Sequence, residues 1–190
     1  GSFSFDLAEA GAIVYGIDIS EVAIESAKVN AKSKKYSDNM KFTVMNAEEL
    51  EFENDFFDKV CGSAILHHLE IKKALTELCR VLQKDGNAVF LEPLGHNPFI
   101  NLYRKLTPKL RSEDEHPLKT DELNLFKDYF SDVHITYFHL TTLLAVPFRD
   151  TKLFKFIFSV LSRLDSFLFR FNFFQKNAWM IVLELSSPIK

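Results

Sequence analysis

The pattern of apolar and polar residues predicts that strands and helices alternate along the first half of the chain. Short apolar runs predict four strands, over residues 12–18, 41–45, 56–66 and 87–92. Apolar residues at helical spacing predict helices between these runs, over residues 21–33 and 71–82. Strands that alternate with helices in this way pair in parallel through right-handed crossovers, so the pattern predicts an α/β fold.

The first helix and the helix after the first strand carry signals at their ends. Phe3, Leu7 and Ala10 share one face at helical spacing, which predicts a short N-terminal helix over residues 1–11. Gly11 is the predicted stop of that helix, because glycine accepts the left-handed backbone common after helix C-termini. Ser20 is the predicted cap of the next helix, since a serine hydroxyl accepts a hydrogen bond from a free backbone N–H group.

The second half of the chain is predicted to complete a single domain over residues 1–190. Its elements are an insertion at about 94–130, a strand over 133–139, a Phe-rich helical segment at about 151–174 and a last strand over 179–185. A helix that begins at Thr120 ends the insertion. Because loops held by a rigid scaffold often carry specificity, we expect the insertion to lie on the substrate side.

Charge and cysteine spacing bear on whether nucleic acid or metal partners are expected. A net charge of −3 over 190 residues gives no electrostatic reason to expect nucleic acid. The two cysteines, Cys61 and Cys79, have neither metal nor redox spacing, so we expect reduced core thiols in a cytoplasmic protein.

Phenylalanine is abundant, with 20 residues, and many of them fall in the segment at about 151–174. A spanning helix needs about 20 mostly apolar residues, but Lys155, Arg163, Asp165 and Arg170 interrupt this segment, so no transmembrane helix is expected. Three interpretations remain for its aromatic residues: core packing, a lid over an apolar substrate pocket, or contact with a membrane surface.

Asp18 closes the first predicted strand and directly precedes a predicted helix. In open parallel sheets, ligands bind at the carboxyl ends of strands, and an acid placed there can hold the two hydroxyl groups of a ribose. The position therefore indicates a nucleotide-type cofactor.

The order of short motifs along the first half indicates which nucleotide-type cofactor is expected. These motifs are Gly1-Ser-Phe-Ser-Phe-Asp-Leu-Ala8, Gly16-Ile-Asp-Ile-Ser20, Asn46-Ala-Glu-Glu-Leu50, Phe57-Asp-Lys-Val60, Ala64-Ile-Leu-His-His-Leu69, Leu82-Gln-Lys-Asp-Gly86 and Phe90-Leu-Glu-Pro93. Together they resemble the class I S-adenosylmethionine-dependent methyltransferases, in particular the small-molecule, methyltransferase type 11-like branch. The resemblance implies a Rossmann-like, doubly wound, mostly parallel sheet with an antiparallel last strand.

The resemblance also assigns residues to the cofactor. Asp18 is expected at the ribose, Asn46 at the adenine amino group where family members often carry an acid, and the backbone amide of Ala47 at the adenine ring. The other residues that it places at the cofactor are Gly1, Ile19, Glu48 and Ser63. Gly1 matches the last glycine of a glycine-rich loop, so the chain is expected to be N-terminally truncated, without the first strand and most of that loop.

If the small-molecule acceptor has to lose a proton during methyl transfer, a histidine can accept it as a general base. His68 and His96 are favoured over His67 and His116, because one follows a core strand and the other opens the insertion. No metal is expected, since neither the adjacent histidines nor the acidic run at 113–115 forms a recognisable ligand set.

Three functions are compatible with these features. The first is an S-adenosylmethionine-dependent methyltransferase that acts on a small, apolar acceptor. The second is a non-catalytic methyltransferase-like binding or regulatory protein. The third is a nicotinamide-dependent oxidoreductase, because an acid that ends the second strand of the fold also suits that cofactor. The motifs at Asn46 and at His67-His68 favour the first function over the third.

Overall fold

The computed structural model describes residues 2–35, 37–107 and 116–190. Its α-helices are α1 (Ser2–Glu9), α2 (Glu21–Lys32), α3 (Ile71–Val81), α4 (Pro98–Leu106), α5 (Thr120–Tyr129), α6 (Phe154–Leu168) and α7 (Asn172–Gln175). Its strands are β1 (Val14–Asp18), β2 (Met40–Val44), β3 (Phe57–Ser63), β4 (Leu82–Pro93), β5 (Phe130–Phe138) and β6 (Met180–Pro188). Within the same described ranges, 3₁₀-helices occupy Ser37–Asn39, Leu66–His68 and Thr141–Phe148.

The chain forms two compact units, one that ends at Glu53 and one over Asn54–Lys190. In the first, β1 and β2 pair in parallel; in the second, the strand order is β3-β4-β6-β5. There β3 and β4 are parallel, whereas β6 runs antiparallel to both of its neighbours, so it is the one reversed strand of that sheet. The predicted α/β, Rossmann-like class with an antiparallel last strand is confirmed. The assignment of residues 1–190 to one domain stays a prediction.

The first unit has a small core between its helices and its two strands. Ala8, Val14, Ala31 and Met40 are buried there. Gly11 has φ +97°, so the predicted stop of α1 is confirmed. The predicted N-terminal helix is confirmed as α1; its residues Phe3, Leu7 and Ala10 are exposed, whereas Ala8 is buried.

The second unit contains the main core. α3 packs its apolar stripe on the sheet, as predicted, with Ala74, Leu75 and Leu78 buried. Alternate residues of β6, Ile181, Leu183 and Leu185, are fully buried at the centre of the sheet. The sheet therefore gives β4 and β6 the most protected backbone of this unit.

Of the two expected core thiols, one is exposed and one is buried. Cys61 is exposed on β3, which forms an edge of the sheet within the described residues, so this half of the expectation is wrong. Cys79 does match the expected core thiol, because burial raises its pKa to about 11.

The Phe-rich segment forms α6, which is anchored by a buried carboxylate. Asp165 is only 4% exposed. Its Oδ1 accepts from the backbone N–H (2.7 Å) and the hydroxyl (2.6 Å) of Thr141. Its Oδ2 accepts from the hydroxyl of Thr142 (2.8 Å) and from the backbone N–H groups of Leu140 and Thr142. The carboxylate thus satisfies the free amides at the start of the 3₁₀-helix.

We expect Asp165→Asn to lower the free energy of unfolding by about 2 kcal/mol at neutral pH. Burial alone would raise the pKa of Asp165, but the Thr141 and Thr142 hydroxyls with the backbone amides outweigh it and lower the pKa. A carboxyl with a lowered pKa stabilises the fold above its unfolded pKa, near 3.9, and this contribution is lost as the pH falls through the folded pKa. Denaturant unfolding should be measured between roughly pH 6 and pH 3, on either side of the unfolded pKa. Over this interval the free energy of unfolding should fall less in the variant than in wild type.

The matched control for that measurement is Asp150→Asn, because Asp150 has an 88% exposed side chain. Its stability should change by less than about 0.5 kcal/mol. Equal acid sensitivity in wild type and in Asp165→Asn would refute the role of Asp165 in stabilising the fold.

Candidate functional site

The carboxyl ends of β1 and β2 bring Asp18 and Asn46 to one edge of the first unit. The two strands are in parallel register with Asp18 opposite Val44, and the Met45 N–H donates to the carbonyl of Asp18 (3.0 Å). Asn46 follows directly. Two of the residues assigned to the cofactor by sequence are therefore neighbours across this edge.

The Asp18 side chain is held by the start of α2. Its Oδ1 accepts from the backbone N–H of Ser20 (2.9 Å), and the Ser20 hydroxyl accepts from Ala23 N (3.2 Å). The predicted cap at Ser20 is thereby confirmed. Oδ2 of Asp18 has no hydrogen-bond partner within the described part of the chain. Asp18 therefore presents a fixed, exposed carboxylate with one oxygen that is open to hydroxyl donors.

Asn46 begins a turn that exposes two further polar groups. Its Oδ1 accepts from the Glu48 N–H (2.9 Å), so the side chain caps this turn. An amide oxygen has two lone pairs, and one remains for an amino group. The backbone N–H of Ala47 has no acceptor among the residues that the structure describes. Ile19 is 75% exposed beside Asp18 and offers an apolar surface to a flat ring.

This edge fits the ribose and adenine parts of S-adenosylmethionine. It offers a carboxylate oxygen for ribose hydroxyls, an amide oxygen for the adenine amino group and a free N–H for a ring nitrogen. Glu48 is half-buried in the same turn. Gly1, the remaining cofactor residue assigned in this unit, lies outside the described residues.

In the second unit, the end of β3 turns sharply into the His67-His68 segment. Ala64, directly after Ser63, has φ +53°, a left-handed conformation that costs a non-glycine residue about 1 kcal/mol. Ala64 N donates to the carbonyl of Leu91 on β4 (2.8 Å), which holds the turn in place. Ser63 is exposed at the carboxyl end of the strand.

Glu92 organises this turn from β4. It is fully buried, and its Oε1 accepts from the backbone N–H groups of Ile65 (2.9 Å) and Leu66 (3.0 Å). Its Oε2 lies 2.8 Å from Nδ1 of His67, which is 5% exposed. One carboxylate therefore fixes the backbone and the imidazole that precede His68. We name these groups the Glu92 clamp.

The two favoured histidines lie in different settings. His68 is half-buried, and its ring stacks on that of His67 with the centroids 4.2 Å apart. His96 is exposed, and its Nε2 accepts from the backbone N–H of Thr120 (3.1 Å) and contacts the Thr120 hydroxyl (2.8 Å). His96 therefore caps α5, and its proton-accepting nitrogen is engaged in that bond. Their predicted role as bases stays a prediction.

Of the less favoured histidines, His116 joins the insertion to the clamp through its backbone. Its N–H donates to the carbonyl of His67 (2.9 Å). Among the described residues, no three His, Cys, Asp or Glu side chains converge to hold a metal ion. The acidic run at 113–115 lies outside those residues. None of the helices described is both long and apolar enough to cross a membrane.

Some buried polar side chains with structural roles were not predicted from the sequence. They include Glu92, Asp165 and Asn97, which is fully buried, caps α4 and donates from Nδ2 to the carbonyl of Asn177 (2.7 Å). For α4 a signal was present, because Asn97 followed by Pro98 is typical of a helix start. For Glu92 the available signal was a carboxylate at the end of a predicted strand, the same signal that identified Asp18.

Comparison with known proteins shows what the first half of the chain is similar to. Residues 1–90 match the family model described as a methyltransferase domain. Over 76 residues the chain is 42% identical to the ubiquinone/menaquinone biosynthesis C-methyltransferase UbiE of Rickettsia massiliae, a match that covers 40% of this chain and 31% of that protein. Over 103 residues it is 30% identical to the ubiquinone biosynthesis O-methyltransferase of Coxiella burnetii, covering 54% of this chain and 43% of that protein. These matches thus span less than half of either relative.

Solved structures extend the likeness to almost the whole chain. A methyltransferase from Methanosarcina mazei, 22% identical, superimposes with a TM-score of 0.63 over 98% of this chain and 87% of its own. The geranyl diphosphate C-methyltransferase from Streptomyces coelicolor, 13% identical, gives a TM-score of 0.68 over 98% of this chain and 67% of its own. The [4+2]-cyclase SpnF has the same fold at a TM-score of 0.63, covering 98% of this chain and 70% of that one at 13% identity, so the fold alone does not fix the reaction. Residues 1–90 are thus similar to the methyltransferase domain family, and the fold of the chain is that of known S-adenosylmethionine-dependent methyltransferases.

Proposed function

We propose that the protein transfers a methyl group from S-adenosylmethionine to a small, apolar acceptor. The observation that carries this proposal is the edge formed by Asp18 and Asn46, an exposed, anchored carboxylate beside an amide that still has a free lone pair. The family match of residues 1–90 supports the same cofactor.

Each residue at this edge has a defined task. S-adenosylmethionine supplies an electrophilic methyl group on a sulfonium. Asp18 accepts hydrogen bonds from the ribose hydroxyls. Asn46 accepts a hydrogen bond from the adenine amino group, and the Ala47 N–H donates to a ring nitrogen. Because Ser20 already fixes Oδ1 of Asp18, the carboxylate is preorganised and its ordering costs little on binding.

The proposed acceptor rests on the relatives. Two of them carry names from quinone biosynthesis, and one structure is that of an enzyme in complex with geranyl diphosphate. If the acceptor has to lose a proton, His68 is a better candidate base than His96, whose Nε2 is bonded to Thr120. The Glu92 clamp would then position His68 through His67.

Calorimetric titration with S-adenosylhomocysteine tests the cofactor. The sample should be the complete product of the gene that encodes this chain, with NAD as the comparison ligand. We expect saturable binding of S-adenosylhomocysteine and none of NAD, because the methyltransferase domain match of residues 1–90 supports the first ligand. The edge formed by Asp18 and Asn46 contacts only the adenosine group, which both ligands share. Binding of NAD alone would favour an oxidoreductase, whereas binding of neither would remove the cofactor assignment.

A further inference from the structure

The outward side of α6 is an exposed apolar face. We define the α6 face as Phe156, Val160, Leu164 and Phe167, which are 70%, 50%, 43% and 54% exposed. Their spacing of four, four and three residues places them in one row along the 15-residue helix. The opposite side of the helix is turned inward, where Asp165 is buried. Core packing therefore does not account for the α6 face.

Cations surround this face. From Thr151 to Lys176 the charged residues are five cations and one carboxylate, and that carboxylate is the buried Asp165; the cations are Lys152, Lys155, Arg163, Arg170 and Lys176, all exposed. The segment is thus strongly positive although the whole chain carries a net charge of −3. Arg163 is three residues from Val160 and four from Phe167, so it borders the apolar row directly.

Aromatic rings and cations also meet at the C-terminal end of the segment. The Arg170 guanidinium lies 6.0 Å from the ring centre of Phe167, and the Lys176 ammonium lies 5.3 Å from that of Phe173. Phe171 and Phe173 are 51% and 65% exposed. Exposed phenylalanines flanked by Lys and Arg are typical of helices that lie in the interface of an anionic bilayer.

We propose that the α6 face binds an anionic lipid bilayer, with the helix parallel to the surface. Phenylalanine rings enter the boundary between headgroups and acyl chains, and the surrounding cations contact lipid phosphates. A second copy of this chain is a poorer occupant, because it would bring the same five cations against the first set. This proposal is independent of the methyl-transfer reaction.

Cosedimentation with vesicles tests it without any methyl donor. The vesicles contain phosphatidylglycerol and phosphatidylcholine in equal parts, or phosphatidylcholine alone. We expect binding to the anionic vesicles at low salt, weaker binding at high salt because ions screen the attraction, and little binding to phosphatidylcholine alone. The double variant Phe156→Ser/Phe167→Ser should partition about tenfold more weakly because it loses apolar burial. The double variant Lys155→Glu/Arg163→Glu should lose the salt-dependent part of its binding to anionic vesicles.

Val160→Ser and Val29→Ser provide a matched pair. Both valines are exposed on helices, at 50% and 62%, but Val29 lies on α2. We expect Val160→Ser to weaken vesicle binding and Val29→Ser to leave it unchanged, with unchanged unfolding midpoints for both. Equal binding by wild type and the double phenylalanine variant would overturn the proposal. So would a dimer that does not bind vesicles and that the same variant converts to a monomer, since the face would then join two protein copies.

Discussion

Asp18→Ala is expected to weaken the binding of S-adenosylhomocysteine by about 10- to 150-fold, equivalent to about 1.5–3 kcal/mol. Hydrogen bonds from the ligand to a charged acceptor contribute about this much to the binding free energy, and the substitution removes them. Titration calorimetry of the complete gene product measures the change directly. The main effect should lie in the dissociation constant. Loss of the bond from the Ser20 N–H should also lower the free energy of unfolding by about 0.5–1.5 kcal/mol.

Asp18→Asn separates the charge from the local fold. An asparagine still provides an oxygen for the Ser20 N–H, so the start of α2 is kept, but it lacks the charge and the second acceptor. Its affinity should fall between those of wild type and Asp18→Ala. Asp38→Asn is the matched control, because this exposed acid precedes β2 at the opposite end of the strand. Unchanged affinity in both Asp18 variants would contradict the ribose assignment.

The parts of the site that the sequence predicts are those formed by residues close together in the chain. Asp18 bonds to Ser20, and Ser20 bonds to Ala23, so an acid after an apolar strand and a capping serine are visible as a local pattern. The position of Asp18 and Asn46 at one edge was predictable as well, since parallel strands end at the same edge of a sheet.

Contacts between distant residues were not predictable in this way. Glu92 binds its partners 25 to 27 residues away, and Asn97 binds Asn177 at a separation of 80 residues. Hydrophobic periodicity tells which face of an element is buried, but it does not tell which polar side chain a buried amide will meet.

The Glu92 clamp connects stability to the proposed chemistry. The turn after β3 contains a strained Ala64 and the half-buried His68, and it depends on Glu92 for two backbone hydrogen bonds and one imidazole contact. Strained turns persist where surrounding contacts hold them. A change at Glu92 should therefore alter both the free energy of unfolding and the position of His68.

Glu92→Ala is expected to lower the free energy of unfolding by about 3–5 kcal/mol, because it leaves the Ile65 and Leu66 amides and the buried His67 without their acceptor. Denaturant unfolding measures this value. Glu184→Ala is the matched control. Glu184 lies on the adjacent strand β6 and is also near a histidine, with 4.0 Å to Nε2 of His134, but the side chains of that pair are 54% and 69% exposed. Loss of an exposed pair should cost less than about 1 kcal/mol.

A double-mutant cycle with His67→Ala separates the imidazole contact from the two amide bonds. If Glu92 and His67 act as one buried pair, the double variant should be less destabilised than the sum of the single variants, by about 1–3 kcal/mol. Glu92→Gln keeps an acceptor oxygen for one side of the clamp, so it should lie between wild type and Glu92→Ala. Additive effects, or equal losses for Glu92→Ala and Glu184→Ala, would show that Glu92 does not hold the turn. His68 would then need another source of positioning.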